Sequence, residues 1–376
     1  MNFNLKKEKL LGVIIVTLLF ITPSLAFALK FKQIVTFGDS LSDHGNLQSH
    51  LPDQPATKSN GDVWVDYLKK ELNAQLTNYA VIGAMTSKHL KDPVQALSDA
   101  GAISQLGLLA QIDQYIEEKP DDFEPSETLF TFWIGANNLI RLGYDIEDKM
   151  EEIIEENKNN PDFDLQKEMQ TVTLTMTQTM IGNAMIDITK AFGKLLNDIG
   201  AKHIVVLTLP DIGKTPWYNT RSETDIEAAT NLATAYNYNL LLTVDQAIVD
   251  SNYSDVTVYK FDLFQIMDDV LDLNMFIDTT GSYMKLDDEG FALTETNGPP
   301  EKYLFYDAVH PMTRAHEYFS TVVAERVIYH GYVSQSEIDD AVLNERMKWD
   351  VNNDNRIGIE EAIHALKTCS GMQAGE

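Results

Sequence analysis

The stretch QIVTFGDSLSD, residues 33–43, runs from an apolar, β-branched segment straight into Gly38-Asp39-Ser40. A short apolar run closed by glycine and aspartate reads as a strand buried on both faces. Runs of the same kind recur at 76–81, 129–134, 203–209 and 256–261, and helical patterns occupy 63–72, 102–118, 171–199, 224–250 and 314–329. Strands alternating with helices build a parallel sheet covered on both faces. In such a sheet the functional groups gather beyond the carboxyl ends of the strands. Ser40 then follows the first strand, Gly83 the second and Asn137 the third, so the three converge on one edge. Two segments fall outside the alternation: an acidic one at 145–168 and an irregular one at 278–302, which holds Gly281, Gly290, Gly298 and Pro299-Pro300. Insertions beside a site often cover it.

The amino-terminal residues carry Lys6, Lys7 and Lys9, then an apolar run over 10–21, then Ala26-Phe27-Ala28. This is the pattern of an export signal cut after Ala28, and its apolar run is shorter than the ~20 residues of a bilayer span. The expectation is a secreted or periplasmic protein. Cys369 is the single cysteine, so no intramolecular disulfide can form and stability must come from an ordinary core. The whole chain has 29 basic and 57 acidic residues, net −28. Residues 1–28 hold three of the lysines and one glutamate, and without them the net charge is −30. Such a surface repels nucleic acid, which excludes it as a partner, and it also serves plain solubility.

A serine attacks an ester only when a base takes its proton and donors stabilise the oxyanion. Among the eight histidines, His310 has a carboxylate at a suggestive spacing, in Tyr306-Asp307-Ala308-Val309-His310-Pro311. On a loop, Asp307 can accept the Nδ1 proton of His310 and leave Nε2 facing Ser40. The same spacing also suits the start of a helix, with Asp307 as its cap. His316 is a rival base, although it falls within a helical pattern where histidine usually packs. Ser40 itself fits a turn hydroxyl as well as a nucleophile. It does not lie in G-x-S-x-G, because Ser42 takes the place of the second glycine, so the nucleophile elbow of α/β-hydrolases is not its setting.

Two further segments, Asn78-Tyr79-Ala80-Val81-Ile82-Gly83-Ala84 and Trp133-Ile134-Gly135-Ala136-Asn137-Asn138, change the weighing by their order. With Gly38-Asp39-Ser40-Leu41 before them and Asp307-x-x-His310 after them, the chain resembles the SGNH, or GDSL, hydrolases over about residues 31–330. The stretch from Gly200-Ala201-Lys202-His203 to Leu209-Pro210-Asp211-Ile212-Gly213 is a further match. The resemblance implies a three-layer, flavodoxin-like α/β fold with a five-stranded parallel sheet, and a Ser40, Asp307, His310 triad. It also implies an oxyanion hole made by the backbone amides of Ser40 and Gly83 and the side-chain amide of Asn137, with no cofactor needed for catalysis. One position departs from the family: Asn138 stands where an aspartate is usual, so a charge behind the donor is lost. The extended form Ser40-Leu41-Ser42-Asp43-x-Gly45-Asn46 looks like the branch of secreted bacterial phospholipases, lysophospholipases and lipid acyltransferases. A lipid or lysophospholipid substrate, a sterol or other acyl acceptor and transient contact with a membrane surface follow from that likeness. Leu139-Ile140-Arg141-Leu142 and the segment 271–276, with Leu273, Met275 and Phe276, are candidates to line an acyl groove, against ordinary packing.

The carboxyl end resembles one EF-hand loop, in which Asp350, Asn352, Asp354 and Glu361 offer side-chain oxygens and Arg356 its carbonyl to Ca2+ as a structural ion. Asn355 replaces the usual glycine of that loop, and Gly358 brings no side chain to its ninth position. The expected organisation is thus a signal over 1–28, a hydrolase domain over 29–332 and a helical, EF-hand-like segment over 333–376. The leading function is an exported serine esterase of the lysophospholipase or phospholipase A type. A deacetylase or aryl esterase acting on polysaccharide or small esters would use the same triad. A calcium-dependent binding module with a disabled site is the reading outside enzymes, and the presence of all three triad residues argues against it.

Overall fold

The computed structural model describes residues 31–90, 106–251, 255–287, 290 and 292–329. Five strands, β1 Gln33–Gly38, β2 Gln75–Asn78, β3 Thr128–Trp133, β4 His203–Leu207 and β5 Thr257–Phe261, form one parallel sheet in the order β2-β1-β3-β4-β5. This is the expected flavodoxin-like order, and it places the reversal of winding between β1 and β3, where a doubly wound sheet opens its crevice. Ser40 leaves the end of β1 and Asn137 the end of β3, so the first candidate residues flank that crevice.

Period-two alternation assigns side chains to the two layers. Val35, Phe37, Phe130, Phe132, Ile204 and Val206 share one core with α2 Leu108–Glu118, α4 Leu165–Gly193 and α5 Glu223–Ser251. Ile34, Leu129, Val205, Leu207, Tyr259 and Phe261 share the other with α1 Trp64–Glu71, α6 Leu263–Asp272 and α7 Thr313–Tyr329. All six residues of β3 are buried, as a central strand covered on both sides requires.

β2, β3 and β4 end before their apolar runs do, at Asn78, Trp133 and Leu207. Past Asn78 the Tyr79 and Val81 amides still donate to Thr36 O and Gly38 O, but the Gly38 amide, the next donor of the ladder, is taken by Gln111 Oε1 at 2.9 Å, while the Asn46 side-chain amide holds the outward Asn78 and Ala80 carbonyls at 2.8 Å each. The acidic stretch 145–168 is helical over most of its length. Its first part completes α3 Ala136–Asn157, whose Met150 and Ile153 bury against Val172 of α4 in a small core of their own. Asp164 then caps α4, accepting from the Lys167 amide at 3.0 Å. Helix α6 escapes the sequence reading, and its buried Leu263, Ile266, Met267 and Val270 trace the 3.6-residue period. The irregular segment contains β6 Asp278–Ser282, paired parallel with β9 Tyr303–Phe305, and the antiparallel pair β7 Met284–Leu286 and β8 Ala292–Thr296. Among the described residues no helix is long and apolar enough to cross a membrane. The expected signal over 1–28, Cys369 and the calcium loop with Asp350, Asn352, Asp354, Arg356 and Glu361 lie outside the described residues.

Candidate active site

Ser40, Asp307 and His310, separated by most of the chain, meet above the end of β1. His310 Nδ1 lies 2.8 and 2.9 Å from the two carboxylate oxygens of Asp307, and its Nε2 lies 2.8 Å from Ser40 Oγ. Burial acts to raise the pKa of Asp307, but the His310 charge and hydrogen bond and the amides of Val309 and His310 hold it below the usual carboxylate range. An ionised Asp307 can only accept, so the imidazole proton belongs on Nδ1 and Nε2 is left to accept from the Ser40 hydroxyl.

The His310 loop is pinned from both sides. The Tyr306 amide donates to His310 O at 2.7 Å, and the Met312 amide to Leu304 O at 2.8 Å. From the stretch before α1, Ser59 Oγ donates to Pro311 O at 3.0 Å, and Asn60 Oδ1 accepts from the Thr313 amide at 2.9 Å. His316 is elsewhere: it is 1% exposed, edge-on to Phe319, and burial depresses its pKa to about 3. A ring held neutral in the core is a packing group, which removes it as the rival base.

The three residues expected to form the oxyanion hole come from three separate elements. Ser40 begins the turn after β1. Gly83, at φ 85°, takes a left-handed conformation that suits glycine and directs the loop after β2. Asn137 stands in the first turn of α3, and its Nδ2 donates one proton to Ala84 O at 3.0 Å, leaving the second N–H of the amide for an oxyanion. The helix start is fixed by Gly135, at φ 125°, where a side chain would run into the Tyr236 ring. Tyr236 OH in turn donates to Ile134 O at 3.1 Å.

Asp43 has no assigned role in the sequence, yet it ties two of these elements together. Its Oδ1 accepts from the amides of Gly45 and Asn46 at 2.8 and 2.7 Å, and its Oδ2 accepts from Leu47 and Ile82 at 3.2 and 2.9 Å. The Ile82 bond sets the position of Gly83 one residue on. With the Asn46 bonds to Asn78 and Ala80, it shows what the Asp43-x-Gly45-Asn46 extension does: it locks the β2 loop against the serine turn. Gln111 is a second residue that sequence reasoning misses. It is 2% exposed and brackets Gly38, accepting from its amide and donating to its carbonyl at 2.9 Å each. A glutamine on the apolar face of a helical pattern was its only signal. Asn138, expected to mark a lost charge, accepts from the Thr86 amide at 3.1 Å and donates to Thr86 Oγ1 at 2.9 Å. An ionised aspartate could only accept there.

Asp39 is wholly buried beside the serine. Its Oδ1 accepts from the Leu41 amide at 3.1 Å, and its Oδ2 has no hydrogen-bond partner among the described residues. Burial pushes its pKa up from 3.8 to about 7, against the Leu41 bond and the nearby His310 charge. The folded value exceeds the unfolded one, so between roughly pH 4 and pH 7 the folded chain holds more proton and stability falls as pH rises. At ~1.4 kcal/mol per pKa unit the effect is a few kcal/mol. Asp39→Asn should therefore flatten the decline in melting temperature between pH 4.5 and pH 7.5. An unchanged slope would mean that Asp39 is already ionised in the folded chain at acid pH.

The sequence pattern that defines the GDSL-like lipases and acylhydrolases matches residues 34–323. The chain is 25% identical over 323 residues to the thermolabile hemolysin of Vibrio parahaemolyticus serotype O3:K6, covering 80% of this chain and 63% of the hemolysin. It is 27% identical over 223 residues to the phosphatidylcholine-sterol acyltransferase of Aeromonas hydrophila, covering 57% of this chain and 54% of the acyltransferase. An acetylesterase of Thermothelomyces thermophilus is 25% identical over 320 residues, covering 81% of this chain and 90% of that enzyme. The chain thus spans less than two thirds of the first two relatives.

Proposed function

This chain belongs to the GDSL-like lipase/acylhydrolase family, and on that premise we propose that it is a serine ester hydrolase acting on lipids, of the lysophospholipase or phospholipase A type. The observation that carries the reading is the 2.8 Å contact of Ser40 Oγ with a His310 whose other nitrogen is held by Asp307. In this mechanism His310 takes the Ser40 proton as Oγ attacks the ester carbonyl carbon. The tetrahedral oxyanion is held by the amides of Ser40 and Gly83 and by Asn137 Nδ2. His310 then gives the proton to the departing alcohol oxygen, leaving an acyl-serine. Water activated by the same imidazole releases the fatty acid and restores Ser40, and a hydroxyl acceptor taking the place of water gives acyl transfer.

The choice of lipid over small acetyl esters is supported by the relative named a phosphatidylcholine-sterol acyltransferase and opposed by two named acetylesterases. Export through residues 1–28 and a calcium ion held by the loop from Asp350 to Glu361 belong to the same proposal. Product analysis on lysophosphatidylcholine, p-nitrophenyl butyrate and acetylated xylan decides among the substrates. Release of fatty acid from lysophosphatidylcholine at a rate well above acetate release from xylan is expected, and the reverse ranking would make the chain a polysaccharide deacetylase.

A further inference from the structure

An ester whose carbonyl oxygen sits in the hole must send its acyl chain away from the carbonyl carbon in some direction, and a cavity lies beside two of the segments that carry the expected oxyanion donors. This cavity, of about 510 Å3, lies between α3 and α4 against the loop after Gly83. Its wall includes Asn138, next in the chain to Asn137, and Met85, next to the Ala84 carbonyl that holds Asn137. Two of the elements expected to build the hole therefore also supply part of the cavity's wall. We propose that this cavity receives the fatty acyl chain of the substrate, an inference that rests on the esterase reading above.

Its apolar lining comes from Met85, Leu142, Met176, Met180 and Ala184, with Ile186 exposed at the surface. Methionine is unbranched and polarisable, and a wall of three of them conforms to chains of differing length and unsaturation better than a rigid branched wall does. The volume falls within the range of small-molecule sites. The helix behind the methionines carries no charged residue over 169–186, in a chain of which 23% is charged. The charged residues of the lining are paired locally: Arg141 with Asp145 at 2.6 Å and Lys190 with Asp187 at 3.3 Å. These pairs neutralise the charged part of the lining. The sequence candidates divide accordingly. Leu142 lines the cavity, Leu139 packs into the core beneath the sheet, and Phe276 is buried under the Arg314 guanidinium on the opposite layer.

Two substitutions fill the cavity from different sides: Met180→Trp from its half-buried wall, and Thr179→Trp from its exposed rim, where a larger side chain leaves the core untouched. The readout is kcat/KM on p-nitrophenyl palmitate against p-nitrophenyl butyrate. Both variants should lose at least about tenfold on palmitate and less than about twofold on butyrate, with Thr179→Trp melting as the wild type does. In parallel, Ser40→Ala protein with and without Thr179→Trp is titrated with cis-parinaric acid, a fluorescent long-chain fatty acid, and the filled cavity should bind it at least fivefold more weakly. Equal losses on both esters, or unchanged palmitate turnover and unchanged fatty-acid binding in a folded Thr179→Trp protein, overturns the assignment. A wild type that binds the fatty acid through this cavity but cleaves neither ester would instead sink the esterase reading and leave the cavity's ligand class standing.

Discussion

Ser40→Ala should lower the rate of ester cleavage by at least about 10³ while the melting temperature stays within a few degrees of the wild type. Ser40 is 8% exposed and its hydroxyl meets His310 Nε2, so little packing is lost with it. His310→Ala should reach a similar floor, and the double variant should fall no further, because a nucleophile and its base act as one unit. His316→Leu provides the contrast. That ring is buried against Phe319 and neutral, and leucine keeps its bulk, so turnover per folded molecule should survive even where stability shifts. Steady-state kinetics on p-nitrophenyl butyrate, corrected for the folded fraction, read all four proteins. Near-normal turnover in Ser40→Ala would refute the nucleophile assignment, and loss in His316→Leu with retention in His310→Ala would exchange the bases.

The legible part of this site was its chain order. Strand β1 runs into Asp39-Ser40, and the parallel sheet that the apolar runs announced puts whatever follows β1 and β3 at one crevice, so Ser40 and Asn137 could be brought together from chain order. Asp307 and His310 could be paired with each other by their spacing, but their approach to Ser40 depends on bonds from Ser59 and Asn60 to the 311–313 stretch, which no periodicity announces. Asp43 was visible as a motif letter and silent as a structural part, because its four amide partners come from two separate loops. Helix α3 was hidden by composition: a run of acidic residues looks like solvated loop until Met150 and Ile153 find Val172 on the neighbouring helix. The cavity was legible only at Leu142, since its lining comes from α3, α4 and the loop after Gly83 together. Local chemistry could be read; what depended on two distant segments meeting could not.

Asn137→Ala should lower kcat by about 10² to 10³, roughly 3 to 4 kcal/mol of transition-state stabilisation, with little change in KM. The donor is pre-positioned: Asn137 is 6% exposed, its first amide proton is spent on Ala84 O, and that bond fixes the plane of the amide so that the second proton points one way. Charge on the substrate oxygen grows only as Ser40 attacks, so the bond to it strengthens in the transition state and the loss belongs in kcat. The substitution also leaves the Ala84 carbonyl without its partner, a structural cost of about 1 to 3 kcal/mol that could be mistaken for catalysis. Asn138→Ala separates the two effects. It removes a neighbouring amide with two bonds to Thr86, so it should cost comparable stability yet leave kcat on a short ester within a fewfold of wild type. Melting curves and kcat measured on both variants give the answer directly. If Asn137→Ala and Asn138→Ala lose the same stability and the same small factor in kcat, Asn137 is a tether for the Ala84 loop, and the oxyanion must be held by the amides of Ser40 and Gly83 alone.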